Sequence, residues 1–287
     1  MKISLKFGRD CYNLNVLCEI QKNYTLFSEK ERDIADYILQ SNDQIKNINI
    51  TDLSKAIGVS NATITRFSKK IGCKSFVDMK IQLSAASTRV EDLKDEGVFS
   101  DIYSFYKSTI DMTNHLIDKE MIFKFVKEIK NAKRIYICGV GSSGFTASEF
   151  ALRLLRMGFN VSSITDSHMM IINSSILSKE DLIVGISLSG ETNEVVQSLR
   201  IGKANGATSV AMTSFENSSI AMYSDMNFIL YNSGFIDKER FVNSQFSAMY
   251  VVDLICSVLL RDKELKDKMQ LTVDTIIGME YNKGKNE

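Results

Sequence analysis

Apolar residues along this chain follow two rhythms. Up to about residue 130 they recur three and four positions apart, as on one face of a helix; from Arg134 onward short apolar runs alternate with helical stretches. In the first part, Ser28-Glu29-Lys30-Glu31 reads as a capping box that starts a helix at Ser28 and carries it through Ile34, Ala35, Tyr37, Ile38 and Leu39 to about Gln40. Thr51 is expected to cap a short helix bearing Leu53, Ala56 and Ile57, which Gly58 breaks. Ser60 then caps a helix from Asn61 to Ile71 that Gly72 closes, and Phe76 to Ser84 adds another. The charged stretch from Thr88 to Ser100 reads as a linker, and Asp101 to Lys130 as helical. Its Ile102, Phe105, Tyr106, Thr109, Ile110, Met112, Ile122, Phe125, Val126 and Ile129 are candidates for core or dimer contacts.

The second rhythm predicts strands at Arg134 to Cys138, Asn160 to Ile164, Asp181 to Ile186, Ser209 to Thr213 and Met226 to Tyr231. Short apolar strands alternating with helices make a mainly parallel sheet of about five strands in a three-layer α/β/α domain, behind an all-α N-terminal domain. The length of 287 residues suits two domains. Their expected limits are 1–87 for the N-terminal domain, 88–118 for a linker and connecting helix, 119–265 for the α/β domain and 266–287 for a tail.

Two strand ends carry the candidate chemistry. The run Asp181 to Thr192, DLIVGISLSGET, passes from a buried strand straight into hydroxyls, Ser187, Ser189 and Thr192, around Gly190, and a helix is expected from Glu191 to Leu199. Upstream, RIYIC is followed by GVGSSG, with Gly139, Gly141 and Gly144 framing Ser142 and Ser143 ahead of a helix from Phe145 to Met157. Helix N-terminal amides, hydroxyls and a glycine that permits close approach form an anion site. A dinucleotide fold also uses a glycine-rich turn after a strand, and Thr165-Asp166 ends the second strand where an acidic ribose ligand belongs. The two hydroxyl-rich loops together favour a small polyhydroxylated phosphate. On these motifs, residues 133 to about 262 resemble a SIS (sugar isomerase) domain, with Ser143 matching its first-loop serine and SLSGET its S-x-S-G-x-T loop. The resemblance implies a phosphosugar site at Gly141, Ser142, Ser143, Ser187, Ser189, Gly190 and Thr192. Asp166 and His168 are further candidates to touch the sugar, whereas His115, on a helical stretch, and the methionines read as structural.

Formal net charge is zero, yet residues 46–90 hold eight basic side chains against Asp52 and Asp78. Beneath that charge lie two short helices joined at a glycine, the second turning Ile64, Phe67 and Ile71 inward and Asn61, Thr63, Thr65, Arg66 and Lys69 outward, which is a helix-turn-helix. The run LSKAIGVSNATITRFSKKIGCKSFVDMK, Leu53 to Lys80, is similar to the N-terminal domain of RpiR-type bacterial transcription regulators, which carry a SIS domain behind it. That resemblance implies operator DNA as a partner, read through Ser60, Asn61, Thr63, Thr65, Arg66 and Lys69, a phosphosugar effector and a homodimer or higher homo-oligomer. Lys70 joins Lys69 as a candidate phosphate contact.

No apolar run reaches the roughly 18 residues of a membrane span, no secretory signal opens the chain, and five cysteines without a CxxC or Cys/His cluster point to reduced thiols in a cytoplasm. Neither metal nor cofactor is expected. The competing reading is a sugar-phosphate isomerase or lyase, which needs a base to move a proton. The candidate carboxylate, Glu239, is followed by Arg240, which would hold it ionised and poorly tuned for that role.

Overall fold

The computed structural model describes residues 16–40, 45, 48–87, 97–232 and 242–283. They fall into two units, Met1–Ile20 with Phe27–Gly97 and Gln21–Leu26 with Val98–Glu287. A first helix, α1 (Val16–Asn23), spans the change from one unit to the other.

In the first unit, α2 (Glu29–Gln40), α3 (Ile50–Ile57), α4 (Asn61–Lys70) and α5 (Phe76–Ser87) follow in order. The Glu31 half of the capping box forms: Ser28 donates its backbone N–H and its hydroxyl to Glu31 Oε2 at 2.8 and 3.0 Å. Helix α3 starts one residue before Thr51, because Asn49 Oδ1 accepts the Asp52 N–H at 2.9 Å; Asn49 is the cap and Thr51 lies inside the helix. Gly58 ends α3 with φ of 76°, a left-handed conformation that glycine adopts without a steric penalty. Ser60 then caps α4 through the Thr63 N–H at 3.1 Å. Ile64, Phe67 and Ile71 are buried with Leu53, Ile34 and Ile38, and the Phe27 and Phe67 rings meet at 5.1 Å. A helix-turn-helix on a supporting helix is the result.

After Gln21–Leu26 the second unit continues from Val98 with α6 (Gly97–Leu116) and α7 (Lys119–Asn131). Residues 97–100, expected as linker, are therefore helical, and residues 88–96 lie outside the described ones. Asp118 interrupts the predicted helical stretch by capping α7, accepting the Glu120 N–H at 2.8 Å. Then come β1 (Arg134–Gly139), α8 (Ser142–Arg156), β2 (Val161–Ile164), α9 (Ser167–Ser175), β3 (Asp181–Ile186), α10 (Asn193–Ala204), β4 (Thr208–Thr213), α11 (Ser219–Met222), β5 (Met226–Ile229), α12 (Phe246–Leu259) and α13 (Lys263–Lys283). The five strands pair in parallel in the order β2-β1-β3-β4-β5. One sheet face packs on α7, α8 and α12 through Phe125, Phe150 and Ile255; the other packs on α9 and α10 through Met170, Val195 and Leu199. Three layers result, with β3 buried at every position. No helix among the described residues is long and apolar enough to cross a membrane.

Acidic side chains tie the amino ends of the strands. Asp181 accepts from Arg134 Nε at 2.9 Å and Nη2 at 2.7 Å and from Ser178 N–H and Oγ at 2.8 Å each, joining β1 to β3. Asp225 accepts from Ser209 N–H at 2.9 Å and Oγ at 2.7 Å and pairs with Lys203 at 2.9 Å, joining β4 to the approach to β5. Gln21 ties the opposite ends: its Nε2 donates to Ser214 O and Leu230 O at 2.9 Å each, and its Oε1 accepts from the Asn232 N–H at 2.9 Å.

Candidate functional site

Strands β1 and β3 are neighbours, with Gly139 opposite Ile186, so the loops that follow them leave the sheet side by side. From β1 the chain turns to β2 and from β3 to β4, which lie on opposite sides; this is the point where an open α/β sheet has its crevice. The expected meeting of GVGSSG and SLSGET at one sheet edge is what the topology builds.

Hydroxyls inside the second loop bond chiefly to one another and to loop amides. Ser187 is buried; its Oγ lies 2.9 Å from Thr192 Oγ1 and 3.4 Å from Ser189 Oγ and accepts the Gly190 N–H at 3.1 Å. Ser189 is exposed, and its Oγ accepts the Glu191 N–H at 3.2 Å; its own proton can turn to Ser187 Oγ, 3.4 Å away, or to an outside acceptor. Glu191, expected in the first turn of the helix, sits ahead of it: Oε1 accepts the Ser219 N–H at 2.9 Å and Oε2 the Ser219 hydroxyl. The helix starts two residues later than expected, at Asn193, after Thr192. Thr192 makes no side-chain cap bond because its hydroxyl is turned to Ser187, so it leaves the first amides of α10 uncapped.

The start of the first loop's helix differs from the expectation as well. Gly141, at φ of 58°, takes the cap position without a side chain to offer, and Ser142 and Ser143 form the first turn of α8 three residues ahead of Phe145. There is no room for side chains at the neighbouring glycines: a Cβ on Gly139 would lie 2.5 Å from Ser143 O, and one on Gly144 2.9 Å from Gly139 O. Ser142 is exposed, whereas Ser143 is 9% exposed and donates from Oγ to Gln245 Oε1 at 3.3 Å. Two helix starts without side-chain caps, aligned peptide dipoles and a ring of hydroxyls can hold a dianionic phosphate with no metal.

Among the other nominated residues, Asp166 caps α9 through the Met169 N–H at 2.8 Å, and His168 and His115 are exposed. Glu239 and Arg240 lie outside the described residues. Gln245 was not nominated; its contact with Ser143 spans 102 positions and leaves no local signature.

On the first unit's α4, Asn61, Arg66 and Lys69 are exposed, with Ser60 exposed ahead of them; Thr63 and Thr65 are half-buried. Thr63 shares the cap with Ser60 at 2.8 Å, and Thr65 Oγ1 donates back to Asn61 O at 2.9 Å. Lys70 is exposed as well; its Nζ pairs with Glu31 Oε2 at 2.8 Å and lies 5.3 Å from the Phe27 ring centroid. Lys80 is half-buried and donates to Ile48 O at 2.9 Å.

Comparison with known proteins bears on both units. The helix-turn-helix domain of the rpiR family matches residues 14–89, and the SIS domain matches residues 128–254. An HTH-type transcriptional regulator of Haemophilus influenzae is 31% identical over 266 residues, 87% of this chain and 91% of that one. One of Clostridium perfringens is 30% identical over 278 residues, 92% of this chain and all of that one. Among solved structures, the Vibrio vulnificus NanR protein complexed with ManNAc-6P is 26% identical with a TM-score of 0.60, covering 92% of this chain and 99% of that one.

Proposed function

The chain belongs to the rpiR-type helix-turn-helix transcriptional regulators that carry a SIS domain, and we propose that it senses a phosphosugar and alters operator binding in response. The observation that carries the ligand class is the SLSGET loop, whose exposed Ser189 hydroxyl and uncapped α10 amides offer donors in fixed directions to an anion. The ligand of Vibrio vulnificus NanR, ManNAc-6P, makes amino-sugar phosphates the first class to test. The reading is of a cytoplasmic homo-oligomer that pairs its helix-turn-helix units on two operator half-sites, with Ser60, Asn61, Arg66 and Lys69 toward the DNA. It is of a binding protein and not an isomerase: the curated relatives are named as HTH-type transcriptional regulators, and Glu191, the carboxylate within the loop, is bonded to Ser219.

Thermal shift over N-acetylmannosamine 6-phosphate, N-acetylglucosamine 6-phosphate, glucosamine 6-phosphate, N-acetylmuramic acid 6-phosphate and ribose 5-phosphate tests the ligand class, with inorganic phosphate as reference. A hydrogen bond to a charged group contributes about 1.5 to 3 kcal/mol, so Ser189→Ala should weaken the binding member more than about tenfold while the fold and ligand-free DNA binding persist. Unchanged affinity in Ser189→Ala would refute the placement of the site; turnover of the bound sugar phosphate would refute the non-enzymatic reading.

A further inference from the structure

Gln245, immediately ahead of α12, reaches back to the hydroxyls of α8. It is 6% exposed, and its backbone N–H donates to Asn243 Oδ1 at 2.9 Å. Its Oε1 accepts from Ser143 Oγ at 3.3 Å and from Thr146 Oγ1 at 3.4 Å; Thr146 Oγ1 has Ser142 O as a second acceptor at 3.4 Å. Thr146 has one proton to share between Gln245 Oε1 and Ser142 O, whereas Ser143 turns its proton to Gln245 Oε1. A serine hydroxyl carries a single proton, so a Ser143 whose proton is turned to Gln245 offers only lone pairs to anything else. A fully ionised phosphate oxygen also has only lone pairs, and the two would repel. A sugar hydroxyl brings the proton that this oxygen can accept.

Resting on the phosphosugar reading above, we propose that Gln245 is a positioning residue for ligand selection: it fixes Ser143 as an acceptor, so that Ser143 reads a hydroxyl of the sugar while the SLSGET loop and the helix amides take the phosphate. Discrimination between a sugar phosphate and free phosphate then resides in the Gln245 and Ser143 pair, not in the loop that binds the anion. The two loops divide the ligand between them, one by its charge and one by its hydroxyl pattern.

Titration calorimetry on the full-length protein tests this with two probes, inorganic phosphate and the member of the sugar-phosphate panel that binds the wild type. Gln245→Met keeps the length of the side chain and removes the acceptor. It is expected to weaken the sugar phosphate about fivefold to tenfold and to leave inorganic phosphate unchanged or slightly tighter, since Ser143 is then free to donate. Ser143→Ala should lower the same selectivity ratio without Gln245 being touched, and the double variant should bind the sugar phosphate no more weakly than Ser143→Ala alone, because Gln245 acts through Ser143. Gln245→Glu retains the acceptor oxygens; its added charge should weaken both probes and preserve their ratio. Equal losses for both probes in Gln245→Met would reduce Gln245 to a packing role, and equal losses in Ser143→Ala would make Ser143 a phosphate donor; either result overturns the proposal. Additive losses in the double variant would overturn it as well. A wild type that binds no member of the panel would instead bring down the phosphosugar reading itself.

Discussion

Substituting alanine for Gly190 separates the shape of the SLSGET loop from its hydroxyl content, since every hydroxyl is retained. Gly190 sits at φ of 71°, where an L-residue is disfavoured by about 1 to 2 kcal/mol. A Cβ there would lie 2.2 Å from Ser218 Cβ, 2.3 Å from Ser218 Oγ and 2.7 Å from Thr213 Oγ1. Ser218 cannot swing aside freely, because it is fully buried and its hydroxyl donates to Phe215 O at 2.8 Å, while Gly190 O accepts the Ile220 N–H at 2.9 Å. Relieving such an overlap in a packed site costs about 1 to 3 kcal/mol more. The combined loss of about 2 to 5 kcal/mol corresponds to a fall of roughly 5 to 15 °C in the melting of a domain this size. Calorimetric melting of Gly190→Ala should show that fall together with a much reduced shift by the sugar phosphate. Gly278→Ala is the control: it lies within α13 with nothing within 4 Å of an added Cβ, and alanine there should raise helix stability by up to about 1 kcal/mol. Wild-type melting and a wild-type ligand response in Gly190→Ala would refute the argument that this glycine sets the cradle.

Acid titration should act through Asp181, whose fully buried carboxylate, bonded first by Arg134 and then by Ser178, is held at about 2 against an ordinary 3.8. A depressed carboxylate contributes stability above its unfolded value, so about 1 to 2 kcal/mol should disappear as pH falls from about 4 toward 2, and Asp181→Asn should abolish that dependence in acid melts. Burial pushes the thiols of Cys18 and Cys138 up to about 12 and those of Cys73 and Cys256 to about 11, so these four should resist alkylation at pH 8 in the native protein and react once denatured. On operator DNA, Arg66→Ala should cost roughly 1 to 3 kcal/mol and relax one base pair, while Lys69→Ala should weaken all sequences and reduce the salt slope by about one. Lys70→Ala should instead lower the melting of the first unit and leave the salt slope unchanged, because Lys70 is paired with Glu31; mobility shifts at several salt concentrations distinguish the three.

What could be read from the sequence was local. The strand, glycine and hydroxyl order of SLSGET, the Ser60 cap and the Gly58 break each place their signal within a few residues, and each formed. The cap of α3 went to Asn49 and not Thr51 because several capping residues stand close together there, and only geometry selects the one whose oxygen reaches the Asp52 amide. Lys69 and Lys70 look alike in sequence and both are exposed, yet one helical step of about 100° brings the second within reach of Glu31 across 39 positions. Gln21 and Gln245 have no local signature at all, since their partners lie about two hundred and about one hundred positions away. Such contacts are fixed by how the sheet closes, not by the periodicity that forms its strands.

Catalysis and sensing ask different things of the same crevice. Isomerisation needs a group that takes and returns a proton, whereas a sensor needs donors whose directions are set before the ligand arrives. The second unit places Asp181 and Asp225 at the amino ends of the strands and commits Glu191 to Ser219, while Ser187, Ser189 and Thr192 are held in one arrangement by mutual bonds. Under the sensing reading the cradle supplies affinity, and affinity becomes regulation only through linkage. Whatever factor the sugar phosphate imposes on operator binding, operator DNA must impose on sugar-phosphate binding. A tenfold change, about 1.4 kcal/mol, is measurable from either side. Titrating the sugar phosphate into free protein and into the protein–operator complex should give two affinities whose ratio equals the change in operator affinity on saturation with ligand. Equal affinities with and without operator would mean that the site binds its ligand without informing the helix-turn-helix, and the regulatory half of the proposed function would fall while the binding half stood.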